Sequence, residues 1–160
     1  MTIKVGERVP NGSFTVMSAE GPKPLSTDEL FKGKKVVLFA VPGAFTPTCH
    51  KNHLPGFVKN AAAIKAKGVD TIAVTGVNDV FVMDAWKKAT GGDAIEFLAD
   101  GSANWAKALG LSLDLSERGL GVRSQRYSMI IEDGVVKALN IEEGPGKAEV
   151  SGADNLLKGL

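Results

Sequence analysis

The sequence predicts an α/β fold, with a central mixed β-sheet flanked by helices in one domain. Strand-like apolar runs alternate with helical patterns over the first two thirds of the chain, which is typical of a parallel sheet covered on both faces. Two further runs flank Asp133-Gly134, a two-residue hairpin signal that adds antiparallel strands. The 160 residues fit one domain, and no repeat or low-complexity tract divides them. We therefore expect residues 1–160 to fold as a single unit.

The first elements lead to a buried central strand. A short strand is expected at Phe14–Met17, and Ser26–Glu29 has the spacing of a capping box that begins a short helix ending near Gly33. Lys35–Val41 is a continuous β-branched and apolar run, which indicates a strand buried on both faces. It ends at Pro42-Gly43.

A helix is expected directly after this strand. Thr46 suits the N-cap and Pro47 the first helical position, so the helix should run through Cys49 toward Lys67. Pro55 should kink it, because proline removes one helical hydrogen bond.

The remaining elements alternate and then form the hairpin. The strands are expected at Val69–Val77, Ala94–Leu98, Gln125–Glu132 and Val135–Ile141. The helices are expected from Asn78 or Asp79 to Thr90, at Ser102–Leu109, and from a Ser151 cap through Lys158. Glu142 and Glu143 are expected in a solvated loop.

The charge balance excludes several classes of partner. There are 19 Lys+Arg and 18 Asp+Glu, a formal net charge of +1, which gives no strong field for nucleic acid or an anionic membrane.

The longest uncharged stretch, 36–50, is too short to span a bilayer and contains two prolines. The N-terminus lacks the apolar core of a secretory signal. We expect a soluble cytoplasmic protein, and a processed organellar form would fit the same observations.

Cys49, the chain's single cysteine, cannot form an intrachain disulfide and is the candidate nucleophile. It falls in the first turn of a helix after a buried strand, where unpaired N–H groups and the helix dipole favour a thiolate. A helix end contributes only about 0.3–1 kcal/mol, so a nearby cation is needed, and Arg123 or Arg126 could supply it. The alternative is a small buried apolar residue. Thr46 is either a helix cap or a hydroxyl facing the same pocket.

The residues before Cys49 resemble a known signature. Pro42 to Cys49 reads Pro-Gly-Ala-Phe-Thr-Pro-Thr-Cys, similar to the Pro-xxx-Thr-xx-Cys signature of the peroxiredoxins, which are thiol peroxidases on a thioredoxin-like fold. The predicted order of elements fits that architecture. Four longer blocks resemble the atypical type II, or peroxiredoxin-5, subfamily: PGAFTPTCHKNHLPGF, GVNDVFVMDAW, FLADGSANWAKALGL and RYSMIIEDGVV.

This resemblance implies a role for each site residue. Cys49 would be the peroxidatic nucleophile, which attacks a peroxide oxygen and becomes a sulfenic acid as water or an alcohol leaves. Thr46 would orient the peroxide and hydrogen-bond the sulfur, and Pro42 would shield the pocket. Arg126 would stabilise the thiolate, with Arg123 the less favoured candidate. No metal or organic cofactor is required.

The sequence departs from the resemblance at the resolving cysteine. Relatives carry it at one of two places that hold Val74 and Val150 here. An external thiol must then reduce Cys49, and the similar one-cysteine members of this subfamily use glutathione and glutaredoxin. A mixed disulfide with glutathione is the expected intermediate. A peroxidase recycled by thioredoxin and a peroxide-sensing thiol switch are the alternatives.

Other interpretations involve the residues around Cys49. His50 and His53 could join it as metal ligands or serve as the base of a cysteine hydrolase, although helix residues that are exposed or hydrogen-bonded are the favoured interpretation. The resemblance also implies a noncovalent homodimer formed near Phe45 and Phe81.

Overall fold

The computed structural model describes every residue except 1, 145 and 146. The helices are α1 (Thr27–Phe31), α2 (Leu54–Lys65), α3 (Val80–Thr90), α4 (Asn104–Leu109) and α5 (Ala153–Lys158). The strands are β1 (Ser13–Ser18), β2 (Gly21–Ser26), β3 (Lys35–Val41), β4 (Thr71–Gly76), β5 (Glu96–Ala99), β6 (Ser112–Leu115), β7 (Gly121–Ser124), β8 (Tyr127–Glu132) and β9 (Val135–Ile141). A π-helical turn, Cys49–His53, precedes α2, and a 3₁₀ turn, Ser116–Arg118, follows β6.

Seven strands form one mixed sheet in the order β2-β1-β5-β4-β3-β8-β9. The central strands β3, β4 and β5 are parallel, and β8 joins β3 in the antiparallel direction. The tight turn between β8 and β9 has Asp133 at φ 49° and Gly134 at φ 79°, and positive φ at both positions matches the expected hairpin. Strands β6 and β7 form a separate small hairpin.

Helices cover both faces of the sheet. Side chains of α2, α3 and α5 pack with one set of strand residues, and side chains of α1 and α4 pack with the alternate set. Strand β3 contributes to both sets, since Val37 and Phe39 enter the first and Val36 and Leu38 the second. The predicted α/β fold with a central mixed sheet is therefore confirmed. Among the described residues, no helix is both long and apolar enough to cross a bilayer.

Local signals located most elements correctly. Strands β3 and β9 have the expected bounds, and the Ser26 hydroxyl accepts from the Glu29 N–H at 3.1 Å, as a capping box requires. Strand β2 was not anticipated, because it contains Pro22 and Pro24. It pairs only with β1 at the edge of the sheet, where proline is tolerated. The small β6–β7 hairpin was also missed.

The helices depart from expectation at two places, near Pro55 and at the start of α5. The irregularity expected at Pro55 lies just before it, in the π-helical turn, where the Leu54 N–H donates to the carbonyl of Cys49 five residues back. Ser151 does not cap α5: the N-cap residue is Gly152, and the Ser151 hydroxyl donates to Glu142 instead. Glu142 is accordingly buried rather than solvated.

Candidate active site

Cys49 lies at the carboxyl end of β3, in the first position of the π-helical turn, and is fully buried. The loop between them has a fixed shape. Its backbone N–H at Ala44 donates to Asn78 Oδ1 at 2.9 Å, and Thr46 Oγ1 donates to the carbonyl of Gly43 at 2.6 Å. Phe45 between them is held at φ 63°, a costly conformation for an aromatic residue that surrounding contacts must maintain.

Arg126 is the cation in contact with the sulfur. Its Nη2 donates to Cys49 Sγ at 2.8 Å, and the side chain is only 2% exposed. The position follows from strand pairing: Tyr127 of β8 lies opposite Ala40 of β3, so the preceding residue reaches the end of β3 where Cys49 begins its turn. A buried guanidinium at this distance is placed to donate a charge-assisted hydrogen bond to the sulfur.

His53 holds the other end of this guanidinium. Arg126 Nη1 lies 2.9 Å from His53 Nδ1, and His53 Nε2 lies 2.9 Å from the carbonyl of Ser151. Because arginine only donates and a carbonyl only accepts, Nδ1 is the acceptor and Nε2 carries the proton. Burial, and then the charge of Arg126, lower the pKa of His53 to about 3. The ring is therefore a neutral acceptor with one fixed tautomer.

Aromatic packing supplies much of that burial. The Phe39 ring lies 5.0 Å from the His53 ring and stacks on Phe57 at 3.9 Å between centroids. Apolar surroundings of this kind disfavour an imidazolium, so the histidine remains an acceptor for the arginine.

The series of polar contacts from Arg126 through His53 and Ser151 leads to the carboxylate of Glu142. The Ser151 N–H and hydroxyl donate to Glu142 Oε2 at 2.7 Å and 2.5 Å. Burial raises the pKa of Glu142, but hydrogen bonds from Ser151 and the backbone of Val150 outweigh it, and the net direction is downward. Glu142 therefore stays ionised close to the site, a feature that sequence reasoning missed because its neighbours favour a loop.

The two candidate arginines have different surroundings. Arg123 Nε donates to the carbonyl of Leu120 at 2.8 Å, and its Nη1 lies 3.4 Å from the carbonyl of Pro42. Space here is tight, since a Cβ added to Gly43 would lie 3.1 Å from the same Nη1 and 3.0 Å from the Thr46 methyl group. Arg123 thus braces the loop that carries Pro42 and Thr46, while Arg126 contacts the sulfur.

Each histidine is engaged by a residue other than Cys49, which argues against a metal site or a hydrolase dyad. His50 Nδ1 accepts from Trp86 Nε1 at 3.1 Å, and His53 engages Arg126. Within the part of the chain that the structure describes, no group of three or more His, Cys, Asp and Glu side chains could hold a metal ion.

Neither valine position offers a resolving thiol. Val74 is fully buried in β4, and Val150 is 44% exposed in the segment before α5. The arrangement therefore presents one buried thiol sulfur beside a guanidinium, and the sequence contains no second cysteine.

Comparison with known proteins places this chain in a family. The Redoxin family model matches residues 4–157. The chain is 51% identical to peroxiredoxin-2E-2, chloroplastic, of Oryza sativa subsp. japonica, over 99% of this chain and 73% of that protein. It is 49% identical to peroxiredoxin-2C of the same organism, over 99% and 98%. The structure of reduced Prx3 from Vibrio vulnificus in complex with H₂O₂ superimposes with a TM-score of 0.94 at 52% identity, covering 98% of each chain.

Proposed function

We propose, because this chain is a peroxiredoxin and belongs to the Redoxin family, that it reduces hydrogen peroxide and alkyl hydroperoxides through Cys49. A thiol peroxidase activity with an antioxidant role is what this family membership establishes. The observation that carries the assignment to Cys49 is the 2.8 Å contact between its sulfur and Arg126. Support for hydrogen peroxide as a substrate comes from the similar Vibrio vulnificus protein, whose complex contains it.

In the proposed first step the thiolate of Cys49 attacks one oxygen of the hydroperoxide. The S–O bond forms as the O–O bond breaks, so the sulfur is oxidised to a sulfenic acid and the peroxide is reduced. The leaving oxygen takes up a proton and departs as water or an alcohol. Arg126 would stabilise the negative charge on that oxygen, Thr46 would orient the peroxide, and Pro42 would shield the sulfur from water.

The second half of the cycle needs a thiol from outside the chain. Glutathione attacks the sulfenic sulfur, giving a Cys49–glutathione disulfide and water. A glutaredoxin thiol, or a second glutathione, then displaces Cys49 as a thiolate and takes over the disulfide. The single cysteine and the valines at 74 and 150 support this route over an internal disulfide.

The decisive experiment compares reductants. Steady-state peroxide consumption is measured with glutathione and glutaredoxin, and separately with thioredoxin and its reductase, using Cys49→Ser as the control for uncatalysed reduction. We expect clear preference for the glutathione system and background rates for the variant. Preference for thioredoxin would overturn the reductant, and full activity in Cys49→Ser would overturn the nucleophile.

A peroxide-sensing switch is the second candidate, because the chain supplies no resolving thiol of its own. The two functions separate in a single-turnover experiment with equimolar hydrogen peroxide, followed by each reductant. Rapid oxidation without recovery by any reductant would favour the sensor. Rapid oxidation with recovery by glutathione supports the peroxidase.

We also propose that two protomers associate near the active-site loop. Phe45 is 47% exposed and Phe81 65% exposed, and the Phe45 ring lies 5.6 Å from His50 and 6.5 Å from Trp86, so the apolar surface begins at the site. Sedimentation should show a dimer for the wild type and a monomer for Phe81→Asp. A wild-type monomer at micromolar concentration would exclude the interface.

The compartment we propose is the cytoplasm. A processed organellar form is the alternative, supported by the word chloroplastic in the names of two plant relatives.

A further inference from the structure

The hydrogen bonds around Arg126 close into a ring. From its side chain they pass to His53, to the carbonyl of Ser151, and through the N–H and hydroxyl of Ser151 to the carboxylate of Glu142. The backbone N–H of Glu142 then donates to the carbonyl of Arg126 at 2.9 Å. Glu142 thus contacts the backbone of Arg126 directly through its own N–H. It also supports the side chain of Arg126 indirectly, through Ser151 and His53.

We propose that Glu142 is a positioning residue for Arg126, acting through Ser151 and His53 to hold the guanidinium against the sulfur of Cys49. The proposal rests on the proposed peroxide chemistry for its kinetic consequence, but the positioning itself concerns only the reduced protein.

The geometry of Ser151 explains how a distant carboxylate can act. Because the Glu142 carboxylate accepts hydrogen bonds from both the N–H and the hydroxyl of Ser151, it fixes the orientation of Ser151. Its carbonyl then points at His53 Nε2, and this hydrogen bond selects the tautomer in which Nδ1 accepts from Arg126. All four side chains are at least nine-tenths buried, so water competes little for these bonds.

The neutral His53 ring between Glu142 and Arg126 also leaves the positive charge of Arg126 available to the sulfur of Cys49. A carboxylate bonded directly to Arg126 would neutralise the guanidinium and compete with the thiolate for it. With His53 between them, Glu142 orients the arginine at a distance, and its negative charge is partly offset by the hydrogen bonds from Ser151.

Glu143 provides a matched control. It is the next residue, it is exposed, and it carries the same charge. Comparing Glu142→Gln with Glu143→Gln therefore separates the hydrogen-bonded ring from a general loss of one negative charge near the site. Three other charged side chains line the cleft beside His53, and they are identical in both variants: Lys59, Glu149 and Asp154.

The experiment follows Cys49 in two ways. Iodoacetamide alkylation is measured against pH, and oxidation by hydrogen peroxide is measured in a single turnover. For Glu142→Gln we expect peroxide oxidation to slow about tenfold, the equivalent of one charge-assisted hydrogen bond, and the alkylation profile to move toward higher pH. Glu142→Asp should recover part of the loss, and Glu143→Gln should match the wild type.

Several outcomes would overturn the proposal. One is a wild-type alkylation profile in Glu142→Gln, and another is an equal change in Glu143→Gln. If Glu142→Gln does not fold, Ser151→Ala removes only the hydroxyl donor to the same carboxylate, and an unchanged profile there would count against the ring. Alkylation requires no peroxide, so it tests the positioning even if the wild type fails as a peroxidase.

Discussion

Arg126 and Tyr127 are adjacent in the chain, yet their side chains enter opposite faces of the sheet. Successive side chains alternate along a strand. Arg126 therefore reaches Cys49 on the face that α2 covers, and Tyr127 reaches Trp105 of α4 on the other face. Both are almost completely buried, at 2% and 0% exposure. These two neighbouring polar side chains are equally buried but serve different roles, Arg126 at the candidate site and Tyr127 in a hydrogen-bonded cluster on the other face.

The second face holds a polar cluster that stabilises the fold. Trp105 Nε1 donates to the Tyr127 hydroxyl at 3.0 Å, and the Asp100 carboxylate accepts from the N–H groups of Trp105 and Ala106 in the first turn of α4. Burial raises the pKa of Tyr127 and of Asp100. This cluster has no sulfur and no guanidinium, so it can anchor a helix but offers no nucleophile. Reactivity depends on which charges accompany the buried groups.

The largest expected effect on the site face comes from Arg126→Gln. Losing the guanidinium removes the donor to the sulfur and the charge proposed to stabilise the leaving oxygen, so the second-order rate of oxidation should fall about 10³-fold. Stopped-flow oxidation with hydrogen peroxide measures it. Arg123→Gln, which removes a nearby guanidinium not bonded to the sulfur, is the matched control and should lose far less. Equal losses would erase the distinction between the two arginines.

Thr46→Val should have the next largest effect, a decrease of about 10²-fold in the same rate, because it removes a hydroxyl expected to orient the peroxide. Thr46→Ser keeps the hydroxyl and should remain close to the wild type. If Val and Ser variants react equally fast, the hydroxyl serves only its bond to Gly43.

On the opposite face, Tyr127→Phe should affect stability and leave the chemistry unchanged. Trp105 Nε1 would lose its acceptor in a buried position, at a cost of about 1–3 kcal/mol in the free energy of unfolding. Urea denaturation measures the loss, and peroxide oxidation of the folded variant should proceed at the wild-type rate. A slowed oxidation would mean that the two faces are coupled.

The smallest effect expected is a pH dependence from His53. Its pKa is about 3 when folded and about 6.5 when unfolded, so the unfolded state binds more protons between these values and stability falls as pH decreases below about 6.5. From pH 7.5 to 5.5 this contributes a loss of about 1.4 kcal/mol. Urea denaturation of the wild type and His53→Gln at both pH values isolates the contribution. The same pH dependence in both proteins would contradict it.

Much of the fold could be predicted because its signals are local. The apolar run of β3, the capping box at Ser26 and the Asp133-Gly134 turn each act over a few residues, and each lies where expected. Strand β2 could not be predicted in this way. Its two prolines argue against a strand, and only its edge position makes them acceptable.

The features of the candidate site also separate into those set by local sequence and those set by long-range contacts. The sequence by itself determined that one cysteine follows a buried strand at a helix start, with Pro42 and Thr46 on the same loop, because these relations span fewer than ten residues. The family resemblance already favoured Arg126 over Arg123, but only the tertiary structure brings Arg126 into contact with a sulfur 77 residues away, and His53 into contact with the carbonyl of a residue 98 positions distant. Contacts of that span depend on strand order and on which face each side chain enters, and these follow from the packing of the whole sheet.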